Sequence, residues 1–103
     1  MNEKDFETAM KLVMFGGDAK ACAIEAIEAA KKGDFEKAEE RIAKAGESIL
    51  EAHHSQTEML TKEAGGEHME VTLLSVHAQD HLMTAIAFTD LAKEIVLLYK
   101  KIS

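Results

Sequence analysis

Val76-His77-Ala78-Gln79-Asp80-His81-Leu82-Met83-Thr84 lies mid-way along a segment that otherwise reads as an apolar helix. On a helix, residues three, four and seven apart share a face, so His77 lines up with Asp80, His81 and Thr84. Packing gives a core helix no reason to gather two imidazoles, a carboxylate and a hydroxyl at its middle. Polar groups there cost free energy unless they are paired, hydrated or used. Around this stretch one stripe runs Val71, Leu74, Ala78, His81, Ala85, Phe88, Ala92, Ile95, Tyr99 and Ile102. A second face runs Leu73, His77, Asp80, Thr84, Ala87, Leu91 and Leu98, with Val76, Met83 and Ile86 between the two. One three-helix chain can cover one stripe, so the second points to other copies of the chain.

Upstream, Gly65-Gly66 marks a turn, and the helix after it is expected to start between Glu67 and Thr72, with no evident cap. Before the turn, Phe35, Ala38, Ile42, Ala45, Ile49, Ala52, Gln56 and Met59 keep an alternating three-four spacing, a coiled-coil-like seam with a charged outer face. Gly33 suits the left-handed residue past a helix end, and Asp34 suits the following N-cap. In the first helix, Asn2 is the expected N-cap, and Phe6, Met10, Val13, Gly17, Ile24 and Ile27 form the expected stripe. Gly16-Gly17 interrupts it, either as a kink or as a place where another group comes close. If the second and third helices form a hairpin turning at Gly65-Gly66, His53 to Gln56 lie level with His77 to His81 and form one polar layer. His68 falls in the surface loop.

The 103 residues fit a single domain spanning 1–103. With no Pro or Trp, and with Ala, Glu, Lys and Leu abundant, the expected class is all-α. A net charge of −7 argues against nucleic acid, which requires a basic face to displace counterions. The single Cys22 has no partner for an intramolecular disulfide and reads as a small packing residue in a reducing, cytoplasmic setting. The first residues mix charges with apolar positions, so no signal peptide is expected, and the apolar runs are far too short for membrane insertion.

Several chemistries compete for the central stretch. His77 and His81 have the spacing of a helical zinc pair, but the protease motif requires Glu directly after the first His, and that residue is Ala78. Glu51-Ala52-His53-His54 holds one Glu-x-x-His, whereas the ferritin-like di-iron scheme needs two, with further inward Glu residues and four helices. A phosphoryl-carrying histidine is the third option. Imidazole is nucleophilic near neutral pH, and such a group needs exposure, a fixed tautomer and donors for the phosphoryl oxygens, for which His81 and Thr84 are candidates. From the residues alone, this reading, a hydrogen-bonded polar cluster and a non-enzymatic helical oligomer binding metal through His77 and His81 all stay open.

Ser75-Val76-His77-Ala78-Gln79-Asp80-His81-Leu82-Met83-Thr84 resembles the active-site signature of the IIA component of the lactose/cellobiose-type (lactose, N,N'-diacetylchitobiose) phosphoenolpyruvate-dependent sugar phosphotransferase system. Glu51-Ala52-His53-His54-Ser55-Gln56-Thr57-Glu58-Met59-Leu60 is similar to the family's second signature. Gly17-Asp18-Ala19 and Gly33-Asp34-Phe35 match in kind and spacing, so the likeness spans the chain.

The resemblance implies an antiparallel three-helix bundle assembled as a homotrimer with a nine-helix core. It implies that His77 is phosphorylated, through Nε2, by the histidine-containing phosphocarrier protein and passes the group to a cysteine of the cognate IIB component during disaccharide uptake. It also implies that Asp80 meets its two symmetry copies around a divalent ion, taken as magnesium. Three carboxylates on one axis cannot all stay ionised unaided, and a divalent cation cancels most of their charge. The competing expectation is that Asp80 pairs with His77 within one chain. His81 is either a core histidine or a phosphoryl contact. Gln56 either orients His77 or bonds across the seam. Partners are expected to dock on the apolar surface around His77, including Val76 and Met83. Which disaccharide is carried is not encoded here.

Overall fold

Short polar side chains set where each helix starts. In the computed structural model, which describes residues 1–103, Asn2 Oδ1 accepts from the Asp5 amide at 2.8 Å and opens α1 (Glu3–Lys31). Asp34 Oδ1 accepts from the Lys37 amide at 3.1 Å and opens α2 (Phe35–Ala64). Thr72 Oγ1 accepts from the Ser75 amide at 3.1 Å while Ser75 Oγ accepts from the Thr72 amide at 2.8 Å, a capping box that opens α3 (Leu73–Ile102). The third helix therefore begins at the far edge of the expected range. Residues 67–72 stay outside it, tied down by a bond from the Glu67 amide to the Lys62 carbonyl at 2.9 Å and by the terminal amine of Met1 on Glu70 Oε2 at 2.6 Å. The connections turn on Gly33 (φ 80°) and Gly66 (φ 92°), a left-handed conformation in which a Cβ is strained.

The elements number three, all helical and each 29 or 30 residues long. At about 1.5 Å per residue each spans roughly 45 Å, which accounts for the longest dimension of 52 Å. The short turns make successive helices antiparallel neighbours, so the fold is the expected three-helix bundle.

The seam of α2 is the expected one. Ala38, Ala45 and Ala52 are fully buried, and Phe35, Ile42, Ile49, Gln56 and Met59 flank them half-buried. The seam of α1 is not. Its buried residues are Ala9, Leu12, Gly16, Ala19, Cys22, Ala23, Ala26, Ala29 and Ala30, whereas Phe6 and Ile24 of the expected stripe are about half exposed. Small side chains let the three backbones approach closely, and the larger ones are displaced to the flanks. α1 also runs unbroken through Gly16-Gly17. In α3, Ala78, Ala85 and Ala92 are buried as expected, joined by Leu82, Thr89 and Val96 from the adjacent row. Val71 and Ile102, at the ends of the expected stripe, are exposed.

The core forms three layers along the bundle. Ala9, Leu12, Ala52, Ala78 and Leu82 make the layer nearest the histidines. Ala19, Cys22, Ala45 and Ala85 make the next, and Ala26, Ala29, Ala30, Ala38 and Val96 the last. Burial pushes the Cys22 thiol above its ordinary value, consistent with a packing residue. The second face of α3 stays uncovered within one chain: Leu73, Leu91 and Leu98 are 87%, 64% and 57% exposed.

The Thr72 cap lies five residues before His77. Thr72→Ala is expected to lower the unfolding free energy by about 1 kcal/mol, the usual cost of a lost N-cap. A urea titration followed by helical circular dichroism measures this as an earlier midpoint with an unchanged slope.

Candidate functional site

Ala78 and Leu82 anchor α3 on the core, and that rotation decides where the polar residues point. His77, Asp80 and Thr84 face outward, and His81 turns sideways onto α1. The His77 side chain is 56% exposed, enough for another macromolecule to reach its ring. Its Nδ1 lies 3.6 Å from Asp80 Oδ1, one helical turn away. At that separation the contact is electrostatic rather than a hydrogen bond. The carboxylate favours the proton on Nδ1 and leaves the lone pair on Nε2. The expected pairing of Asp80 with His77 within one chain is thus present.

His81 is seated where α1 has no side chains. A Cβ on Gly16 would lie 3.0 Å from His81 Cδ2, and one on Gly17 would lie 3.5 Å from His81 Nε2. The paired glycines are a close-approach site rather than a kink. Lys20 Nζ lies 3.5 Å from His81 Nδ1, and the His81 and His77 ring centroids are 5.5 Å apart with planes tilted by 35°. Burial holds the His81 imidazolium below the ordinary histidine range, with the Lys20 ammonium and His77 acting in the same direction and Asp80 opposing them. His81 is therefore a half-buried ring packed between helices, biased away from the charged form. The ammonium at its Nδ1 opposes a second cation, which weakens the reading of His77 and His81 as a metal pair.

The polar layer is narrower than expected. Gln56 Nε2 donates to Gln79 Oε1 at 2.8 Å across the seam between α2 and α3, and the Met83 and Met59 sulfurs lie 3.7 and 3.6 Å from the Gln56 and Gln79 amides. Gln56 thus bonds across the seam. His53 and His54 are exposed on α2 and take no part, because their positions fall outside the buried row of Ala52 and Ser55. Thr84 does not reach towards His77. Its hydroxyl donates back to the Asp80 and His81 carbonyls at 2.9 and 3.2 Å, the usual local bond of a mid-helix threonine. His68 is a surface loop residue with Nδ1 2.9 Å from Glu63 Oε1.

Beside His77, Val76, Gln79, Asp80 and Met83 form one wall of an open, largely apolar cavity of about 680 Å³, closed by Met59 and Val71. Within a single chain no three His, Cys, Asp or Glu side chains converge, so Asp80 contributes one exposed carboxylate.

Lys20 and Gln79 escaped the reading of the residues. Lys20 did carry a signal: the positions three and four residues from it are Gly16, Gly17, Ala23 and Ile24, so its own helix offers it no acidic partner.

The family model for the "PTS system, Lactose/Cellobiose specific IIA subunit" matches residues 7–100. The chain belongs to the lactose/cellobiose-specific IIA family. It is 48% identical over its full length to the lichenan-specific phosphotransferase enzyme IIA component of Bacillus subtilis, covering 94% of that protein. It is 51% identical over 87 residues, 84% of the chain and 75% of the relative, to the cellobiose-specific EIIA component of Lactococcus lactis. Among solved structures, the cellobiose-specific enzyme IIA of Bacillus anthracis superposes with a TM-score of 0.95 at 44% identity, covering 99% of this chain and 94% of that one. The IIA(Chitobiose) of Escherichia coli, solved in complex with HPr, superposes at 0.84 with 36% identity over 98% of both chains. The bundle described above is thus the fold of the IIA family, and the chain is a component of the sugar phosphotransferase system. No helix is long and apolar enough to cross a membrane.

The His81 environment has a measurable consequence. Because its folded pKa lies below the ordinary 6.5, the unfolded chain takes up this proton first as pH falls. Stability is therefore lost on acidification from about that pH down through the folded value and regained as pH rises. Lys20→Met is expected to raise the His81 midpoint without restoring it fully, since burial is the larger cause. Titration of the ring carbons by NMR reads both.

Proposed function

We propose that the chain is a cytoplasmic phosphocarrier that takes a phosphoryl group onto His77 Nε2 and passes it to a cysteine of a IIB component during disaccharide uptake. The observation that carries this reading is the exposed His77 ring with Asp80 at Nδ1 and Nε2 left free. Membership of the IIA family and the likeness to a IIA solved with HPr support the histidine-containing phosphocarrier protein as donor.

The chemistry follows from the ring. The Nε2 lone pair attacks phosphorus as the donor's N–P bond breaks, and the proton stays on Nδ1. The ring then carries positive charge, which Asp80 stabilises as the carboxylate of a catalytic triad stabilises its imidazolium. A thiolate sulfur next attacks the same phosphorus. The S–P bond forms, the Nε2–P bond breaks, and the ring recovers its lone pair as a neutral imidazole. The chain supplies position and a transient covalent bond and needs no sugar pocket. The apolar wall of Val76 and Met83 beside His77 offers docking surface to both partners.

The uncovered face of α3 favours a homotrimer. Leu73, Asp80, Thr84, Leu91 and Leu98 lie on it, and burying each large apolar side chain yields roughly 1.5–3 kcal/mol. Association through this face brings three Asp80 carboxylates together. Such an all-oxygen set suits a hard divalent ion, such as Mg²⁺, by its ligand preference. The residues fit this group in the assembly and not in one chain. The ion would supply charge neutralisation between subunits, while one Asp80 oxygen faces His77 Nδ1.

Two experiments test the reading. Incubation with phosphoenolpyruvate and the general phosphotransferase proteins should raise the intact mass by one phosphoryl group, and His77→Ala should abolish the gain. Phosphorylation that survives His77→Ala sinks the assignment. For assembly, Asp80→Leu should give a trimer indifferent to chelators, whereas the native trimer weakens with EDTA. Light scattering after size exclusion separates the two. A variant that still needs a chelatable metal to associate would remove Asp80 from the axis.

A further inference from the structure

Lys20 is a half-buried cation with nothing to neutralise it. None of the ion pairs in the chain involves it, and its polar contact is His81 Nδ1 at 3.5 Å. Its helical neighbours at three and four residues, Gly16, Gly17, Ala23 and Ile24, cannot pair with it. The ammonium thus stands one imidazole away from His77, whose ring centroid is 5.5 Å from that of His81.

No lysine or arginine of the chain forms an ion pair with His77 or Asp80. Asp80 is the charged group beside His77, and the chain as a whole carries a net charge of −7. A phosphoryl group on Nε2 brings at least one further negative charge into this setting. At a few ångströms the new charge and the Asp80 carboxylate repel each other. The ion proposed between subunits would screen Asp80, and a phosphohistidine that forms readily still gains from a cation at its own oxygens. The flexible four-carbon stem of a lysine lets the ammonium follow the charge as it arrives.

We propose that Lys20 is the counter-charge of the phosphorylated state: its ammonium turns from His81 Nδ1 to the phosphoryl oxygens on His77. The proposal rests on His77 being the acceptor. In the unphosphorylated chain the His81 ring parks the ammonium, and Gly16-Gly17 leave the space for that ring. With the group in place, a charge-assisted bond from Lys20 holds the phosphoryl oxygens and weakens their repulsion from Asp80. After transfer to the acceptor, the ammonium returns to His81. Lys20 thus sets how strongly the chain competes for the phosphoryl group.

The test compares wild type, Lys20→Met and Lys20→Arg, each equilibrated with phosphorylated donor, with the label located by peptide mass spectrometry. Lys20→Met should lower the equilibrium share of phosphoryl on the chain relative to the donor by about tenfold, the worth of one charge-assisted bond. Lys20→Arg should recover most of it. Added salt should weaken wild type towards Lys20→Met and leave Lys20→Met little changed. Binding of unphosphorylated donor and helical content should be the same in all three, which separates a charge effect from a packing one. If label sits on His77 and Lys20→Met equilibrates as wild type does, the counter-charge is overturned while the carrier reading stands. If Met and Arg variants lose equally, charge is not what Lys20 contributes, and the proposal also falls. Label elsewhere than His77 overturns both.

Discussion

The contact on which the site depends is the meeting of α1 and α3 at Gly16, where a single added Cβ would stand 3.0 Å from the His81 ring. Interiors are packed closely enough that such a contact fixes the rotation of a helix. With the His81 ring against α1, Ala78 and Leu82 face the core and His77 faces outward. Turning α3 by one residue would move the helix by about 100° and bury His77. The exposure of His77 is therefore a result of backbone proximity at a pair of glycines on another helix, far from it in sequence.

What could be read from the residues follows the same physics. The α2 seam was readable because large and small apolar residues alternate at regular spacing against a charged outer face. The α1 seam was misread because Ala9, Gly16, Ala19, Ala23, Ala26 and Ala30 carry little hydrophobic signal, while Phe6 and Ile24 carry much and lie at the flanks. Hydrophobicity marks what would gain from burial, whereas close helix approach selects what is small. The start of α3 was obscure because its box pairs Thr72 with Ser75 rather than with the usual acidic or amide residue. The pairing of His77 with Asp80 was readable from their helical spacing. The contact between Lys20 and His81 was not, since it joins residues 61 positions apart.

Charge and packing divide the work. The exposed pairs, such as Lys31 with Glu28 and Lys44 with Glu47, lie on the outer surface where an ion pair contributes little to stability. The same is true of Lys100 with Glu39 and of Arg41 with Glu25. These charges keep an acidic chain soluble. Around the histidines the arrangement differs: Asp80 lies against His77 and Lys20 against His81, the two rings are tilted by 35°, and neither charge is paired with a Lys, Arg, Asp or Glu of opposite sign. Charges left without a partner of opposite sign are costly as structure, and they are a common mark of a functional site.

The modest core bears on why such a chain would associate at all. Only 21 of its 103 residues are buried, and among the fully buried side chains only Leu12, Leu82 and Thr89 are sizeable. An alanine-rich core gains little per residue, since hydrophobic stabilisation scales with the apolar area removed from water. Many of the larger apolar side chains lie instead on the outside, and Leu73, Leu91 and Leu98 fall on the face of α3 that also carries Asp80 and His77. Covering that face would add the stability that the small core lacks, and it would do so beside His77. An assembly of that kind leaves the histidine at the edge of the new interface rather than inside it. The same surface can then serve both cohesion and access, provided that the copies meet along Leu91 and Leu98 and leave the His77 side open.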